Sequence, residues 1–192
     1  MSIDDERVRF YLRHREQLEE WQALRSETAA AIDEWLVALK PDLESAVGEV
    51  GGDVQLISII DDTNFPSLDL RRPWWPGGQK AEADVQVGLQ WMRGKTLLGP
   101  ATSPYLGVRS KRDSGIGGAL REDAEFQRVR KARKDKNIQW WAAFSYVPPA
   151  VPFPAEAEHY GRSLVGAITD AWKTYAPVID RVVSAAGVRS SL

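Results

Sequence analysis

Two aspartates, Asp69 and Asp84, have the residue type and spacing that could support metal-dependent chemistry. Asp69 lies in a short predicted strand, and Asp84 begins the next strand, with Glu82 two positions before it. Carboxylates on neighbouring strands can hold Mg²⁺, which polarises a phosphate and activates a water molecule. Under this interpretation Asp69, Asp84 and Glu82 are the catalytic candidates and Mg²⁺ is the cofactor. The alternative is that these acids are ordinary solvated turn residues.

The spacing of these acids resembles the catalytic hairpin of the PD-(D/E)XK nuclease superfamily. In that family one strand carries an aspartate, and the next carries an acidic residue two positions before a lysine. Here Gln86 occupies the lysine position, and Ser67-Leu68 precedes Asp69, so the Pro-Asp pair is absent. The resemblance implies a restriction-nuclease type of enzyme, and it covers only residues 67–86.

Other metal and nucleophile chemistry has little support. The chain has no cysteine, which excludes disulfides, thiolate zinc sites and cysteine nucleophiles. Its two histidines, His14 and His159, fall in separate predicted helices. We therefore expect no metal site and no cofactor outside the Mg²⁺ interpretation.

The eight tryptophans outnumber both the tyrosines and the phenylalanines, and two of them indicate a surface that binds a partner. Trp74 and Trp75 lie between prolines in a loop, where two indoles are costly to leave in water. We predict that they contact a partner, helped by the neighbouring Arg71 and Arg72. The alternative is that the loop folds back onto the sheet.

The remaining tryptophans divide into two groups. Trp140 and Trp141 are adjacent in a predicted strand, so their side chains should point to opposite faces, one of which needs cover from a second layer or a partner. The others sit on apolar faces and are predicted to be core residues: Trp21, Trp35, Trp91 and Trp172.

A basic segment follows residue 127 on a chain whose net charge is -2. It could make weak electrostatic contacts with nucleic acid, or it could be the solvated end of a helix. Its residues are Arg128, Arg130, Lys131, Arg133 and Lys134. The preceding glycine-rich stretch, 111–118, is predicted to be a flexible loop. The alternative is a phosphate site at the start of the next helix, which Glu122 and Asp123 disfavour because they would repel an anion.

Apolar periodicity supplies the elements that must position these residues. A 3-4 stripe predicts a helix over residues 4–39 that breaks near Ser26 or projects at one end. Pro177 should kink or split the last helix. Shorter helices are predicted at 41–50 and 122–135 and the last one at 156–186, with strands at 54–60, 67–71, 84–91, 105–109 and 138–147.

These elements predict an α+β fold: an antiparallel sheet of about five strands, with a long N-terminal helix and a C-terminal helix packed on it. The strand links are too short for parallel crossovers. We expect one domain over residues 1–192, with N-terminal helices in 4–50, the sheet region in 54–147 and the C-terminal helix in 156–186.

The composition favours a cytoplasmic globular protein, because no apolar run approaches membrane-spanning length and the start lacks a secretion signal. We predict a non-enzymatic binding or accessory protein that acts through a protein partner or by self-association. The nuclease is the alternative, and small-ligand binding in an aromatic pocket is a third possibility.

Overall fold

A computed structural model describes residues 5–50, 52–60, 63–76, 84–96, 103–147 and 157–187. Six helices lie in these ranges: α1 (Glu6–Arg13), α2 (Arg15–Ala38), α3 (Lys40–Val50), α4 (Gly115–Glu122), α5 (Ala124–Ala132) and α6 (Ala157–Ala185). The same ranges hold six strands: β1 (Gln55–Ile59), β2 (Ser67–Arg71), β3 (Gln86–Gln90), β4 (Tyr105–Arg109), β5 (Lys136–Ile138) and β6 (Trp141–Tyr146).

The strands form one sheet in the order β1-β2-β3-β4-β6-β5, and every neighbouring pair is antiparallel. The predicted α+β class, with helices packed on an antiparallel sheet, is confirmed. The sheet has six described strands because a hairpin stands where one strand, 138–147, was predicted: β6 lies within that range and β5 pairs with it from residues 136–138. Residues 139 and 140 turn the chain between β5 and β6.

One face of the sheet carries the hydrophobic core. Leu68, Leu89 and Leu106 align across β2, β3 and β4, and a parallel row runs from Leu70 to Val108. Helix α6 packs mainly on β3 and β4, and α3 and α5 pack against α6. The apolar stripe of α6 supplies buried side chains at intervals of three and four residues: Leu164, Ile168, Trp172, Tyr175, Ile179 and Val183.

The N-terminal helix breaks at His14, twelve residues before the predicted site at Ser26. His14 has φ -113° and ψ 16°, outside the helical region, and its backbone N–H donates to the carbonyls of Phe10 and Tyr11. The stripe continues through Ser26 without a break, because the Ser26 hydroxyl donates to the Gln22 carbonyl and stays compatible with the helix.

The region after β4 contains two helices where a loop and one helix were predicted. The Ser114 hydroxyl accepts a hydrogen bond from the Gly117 N–H and begins α4, although this segment is rich in glycine. The Asp123 carboxylate accepts from the Phe126 N–H and begins α5. Glu122 therefore ends α4, and Asp123 separates the helices.

Helix α6 runs through Pro177 without a split, and the kink, the other effect predicted for this proline, stays a prediction. Burial on both flanks holds the helix in place, since Ala176 and Val178 are buried on either side of the proline. No helix in the described ranges combines the length and the apolar character needed to cross a membrane.

Candidate binding site on the open face of the sheet

The face of the sheet opposite α6, here called the open face, carries polar and aromatic side chains. The strand register aligns Gln86 with Arg109 and Trp141 in one row. A second row aligns Asp69 with Gly88, Gly107 and Phe144, and a third aligns Gln90 with Tyr105 and Tyr146. The open face is therefore distinct in chemistry from the aliphatic face beneath α6.

Four aromatic rings pack together on the β4–β6 half of the open face. Tyr105 stacks on Trp141 with ring centroids 6.0 Å apart and lies 5.6 Å from Phe144 and 5.2 Å from Tyr146. Trp141 and Phe144 are buried, yet they do not belong to the core cluster beneath α6. Burial and the nearby Tyr146 raise the pKa of the Tyr105 hydroxyl, so it stays neutral.

An ion pair spans the centre of the open face. The Asp69 carboxylate is fully buried and lies 2.6 Å from the Arg109 guanidinium, and it also accepts a 2.6 Å hydrogen bond from the Ser67 hydroxyl. Burial raises the pKa of Asp69, while Arg109 and Ser67 oppose that shift. The pair needs a glycine between its strands, because a Cβ at Gly88 would collide with Asp69 and with the Leu68 carbonyl.

A cleft of about 840 Å³ opens beside this ion pair. Its apolar wall comes from β4, from the β5–β6 hairpin and from the segment before β2: Phe65, Tyr105, Ile138, Trp140 and Trp141. Its polar lining comes mainly from the β3 and β4 ends and from the loop that follows β4: Asp84, Gln90, Arg109, Ser110, Lys111, Asp113 and Ser114. The volume lies within the range of ligand-binding clefts.

Arg121 forms hydrogen bonds to two segments that line the cleft. The Arg121 guanidinium, on α4, donates to the Ser110 carbonyl at 3.0 Å and to the Ile138 carbonyl at 3.0 Å. It also reaches the carbonyls of Gly117 and Gln139. Burial lowers its pKa. Arg121 therefore fixes the loop after β4 relative to the β5–β6 hairpin.

The rim of the cleft is exposed and mixed in charge. The Trp140 side chain is 55% exposed, and the Lys111 ammonium lies 5.3 Å from the centre of its ring. Two cations and two carboxylates face the cleft among the described residues: Arg109, Lys111, Asp84 and Asp113. The cleft therefore offers an aromatic surface with charges of both signs around it.

Two of the three acids singled out in the sequence, Asp69 and Asp84, lie in the described part of the chain. Asp84 lines the cleft, whereas Asp69 lies beneath it in the ion pair with Arg109. Glu82 lies outside the described residues. Within the described ranges no three histidine or acidic side chains are close enough to hold a metal ion.

The predicted interface loop folds back onto α6. Trp75 is only 1% exposed, its ring lies 5.2 Å from that of Trp172, and its indole N–H donates to Asp180 at 2.7 Å. The prediction that Trp75 contacts a partner is therefore wrong. Arg72 pairs with the same Asp180 at 3.3 Å.

The other two residues of that predicted surface have different positions. Arg71 is buried and donates to the backbone carbonyl of Trp75 at 2.5 Å, so this hydrogen bond stabilises the loop. Trp74 is 37% exposed. Asp180, on α6, accepts a hydrogen bond from the Trp75 indole and pairs with the Arg72 guanidinium, and these two contacts hold the loop against α6.

The tryptophans predicted as core also divide. Trp91 and Trp172 are buried and Trp35 is partly buried, but Trp21 is 64% exposed. Trp140 and Trp141 both line the cleft instead of pointing to opposite faces, because the chain turns between β5 and β6 at residues 139 and 140.

Two arginines of the basic segment already make contacts within the chain. Arg130 donates to Gln127 and to the Asp135 carbonyl, and Arg133 pairs with Asp135 at 3.2 Å. Lys131 and Lys134 are exposed, as is Arg128, which lies 3.3 Å from Glu125. Nucleic-acid binding through this segment stays a prediction.

Sequence reasoning missed Arg109 and Arg121 as site residues. Arg109 ends β4, and its ion pair with Asp69 crosses the intervening β3, so the pairing of neighbouring strands could not have identified it from the sequence. No signal in the sequence distinguishes Arg121 from the exposed arginines that follow it. Comparison of this chain with protein families, with curated proteins and with solved structures found no match.

Proposed function

We propose that this protein is a non-enzymatic binding protein and that the cleft on the open face receives an anchoring apolar side chain of a partner protein. The cytoplasm is the proposed location. The observation that carries this proposal is the composition of the cleft. Tryptophan, tyrosine and arginine are the residue types most often found at the energetic centres of protein interfaces, and Trp140, Trp141, Tyr105 and Arg109 meet here.

The arrangement of charge supports a protein segment as the occupant. A peptide backbone offers donors and acceptors together, and the rim of the cleft provides Lys111 and Asp113 close to each other in the chain. Trp141 and Tyr105 are already packed against each other, so little side-chain freedom is lost when a partner binds. Trp140 supplies exposed apolar surface at the mouth.

The proposal can be tested with a library of random peptides displayed on phage and selected on the immobilised full chain. Affinities of the selected peptides are then measured by titration calorimetry. We expect Trp140→Ala to weaken binding about 30-fold or more, as for a residue at the centre of an interface. Trp74→Ala is the matched control, since it removes another exposed indole outside the cleft and should leave the affinity unchanged.

A second set of measurements distinguishes a peptide from a free small molecule. A library of aromatic fragments is screened by NMR against the same chain. Fragments that bind the cleft, together with no selectable peptide, would overturn the protein-partner proposal. Equal losses in the Trp140→Ala and Trp74→Ala variants would also overturn it, because binding would then not depend on the cleft.

A further inference from the structure

The first half of the N-terminal helical region has no cover in the described structure. No residue from 6 to 28, a segment here called the arm, is buried, and the first buried side chain is that of Ala29. The arm nevertheless carries large exposed apolar side chains, which include Trp21 at 64% exposure. The others are Phe10, Tyr11, Leu12 and Leu24.

The exposed stripe of the arm continues the stripe that packs on the core. Ile32, Leu36 and Leu39 are buried against the domain. Leu18 lies two heptads before Ile32, and Trp21 lies two heptads before Trp35, which packs partly buried against the core, so both are on the same side of the helix. The 23 residues of the arm span at most about 35 Å at 1.5 Å per residue, and the break at His14 divides them between α1 and the first part of α2. Helical segments of this length that bury no side chain are marginally stable in water.

The charges of the arm are divided between its two halves. Residues 6–15 contain four arginines and one glutamate, whereas residues 16–28 contain four glutamates and one arginine. Two arms that run antiparallel place the basic half of each against the acidic half of the other. Two parallel arms would place like charges together, which disfavours that orientation. The helix dipoles also oppose each other favourably in the antiparallel pair.

We propose that the arms of two copies of this chain pair antiparallel through the stripe that contains Leu18 and Trp21, and that the protein is a homodimer. This surface is separate from the cleft, so the proposal does not depend on the proposed function. Leu18 of one copy faces Trp21 of the other when the pair is centred between these residues. Tyr11 then lies opposite Thr28.

Sedimentation equilibrium tests the proposal by measuring the mass of the full chain in solution, to be compared with the 21.5 kDa of one chain. We expect a dimer whose dissociation constant rises at least tenfold in the double variant Leu18→Glu with Trp21→Glu. Ala23→Glu is the matched control, because Ala23 lies on the opposite side of the same helix and is exposed. A monomeric wild-type chain would overturn the proposal.

The orientation can be tested by disulfide trapping, since the chain has no cysteine of its own. Tyr11→Cys and Thr28→Cys are prepared separately, and each is first shown to remain dimeric. Under mild oxidation the antiparallel pair gives a cross-linked dimer only when the two variants are mixed. Cross-linking of either variant alone would show parallel arms. A dimer that cross-links in neither case pairs through another surface, and both results contradict the proposal.

Discussion

The Asp69 carboxylate and the Arg109 guanidinium lie 2.6 Å apart although their strands are separated by β3. Asp69 is fully buried, and the Arg109 side chain is 16% exposed. Burial of a charge is unfavourable unless a partner offsets it, and the raised pKa of Asp69 shows that desolvation is the dominant effect here. The stability of the sheet should therefore depend on Arg109 more than on the charge of Asp69.

We predict that Arg109→Met lowers the free energy of unfolding by about 3 kcal/mol, because it leaves a buried carboxylate without its counter-charge. The double variant Asp69→Asn with Arg109→Met should recover at least half of the loss, since the asparagine is neutral and can still accept from Ser67. Urea unfolding of the three chains measures both effects. A double variant no more stable than Arg109→Met would show that the arginine acts by packing alone.

The same pair should give a defined pH dependence. Burial raises the folded-state pKa of Asp69 above its unfolded value, so the folded chain holds the proton more tightly. The contribution of this group to stability is thus complete below the unfolded pKa and decreases as pH rises through the folded pKa. Without Arg109 the folded pKa rises further. The free energy of unfolding of Arg109→Met should therefore fall more steeply with rising pH than that of the wild type, whereas the double variant has no carboxylate at position 69 and should lack this dependence.

Trp75 and Trp74 should respond very differently to truncation. Trp75→Ala empties a buried site against Trp172, and we expect it to lower the free energy of unfolding by about 3–5 kcal/mol. Trp74→Ala, at 37% exposure, should lower it by less than about 1 kcal/mol. Trp75→Phe retains a ring but loses the hydrogen bond to Asp180, so an intermediate value is expected from guanidinium unfolding curves. Equal effects of the two alanine variants would contradict the folded-back loop.

Arg121 should matter for the cleft more than its location on a surface helix suggests. Arg121→Met removes hydrogen bonds to four backbone carbonyls and should destabilise the fold by about 2 kcal/mol. Arg121→Lys keeps the charge, but a single ammonium cannot bridge the loop and the hairpin. We expect both variants to bind the selected peptides more weakly. Arg128→Met, on the exposed side of α5, is the control and should change neither quantity.

Mg²⁺ provides a test of the nuclease alternative. Because Asp69 is held by Arg109, we expect Mg²⁺ to leave the melting temperature unchanged relative to the same sample with EDTA. The full chain should likewise leave plasmid DNA intact in the presence of Mg²⁺. A rise in the melting temperature that disappears in Asp84→Asn, together with cleavage of the plasmid, would support the nuclease interpretation over the binding proposal.

Local pattern was enough to predict the sheet. Strand β4 has its predicted bounds, and β3 lies within the predicted segment, because alternation of polar and apolar residues reflects two faces with different surroundings. The β5–β6 turn was not predictable, since Gln139-Trp140 contains none of the usual turn residues. Helix α4 was missed for the opposite reason: its glycines indicate a loop, but Ser114 caps it and Leu120 is buried.

The site was less predictable than the fold because its contacts join distant parts of the chain. Trp75 and Asp180 are separated by 105 residues, and nothing near either one indicates the other. The same holds for Arg121 and the carbonyls of the β5–β6 hairpin. Trp140 is the exception, since two adjacent tryptophans in a predicted strand already indicated an aromatic face that needs cover, although the hairpin that brings both to the cleft was not predicted.

The position of α6 in the chain has a consequence for synthesis. Because α6 follows all six described strands, they leave the ribosome before the helix that covers their aliphatic face. The β1–β4 meander pairs neighbours in sequence and can form early. Its leucines and valines then stay in water until residues 157–185 emerge, and the nascent chain is prone to aggregation during that interval. Slow translation of the segment before α6 should therefore reduce the yield of folded protein, and a holdase chaperone should restore it.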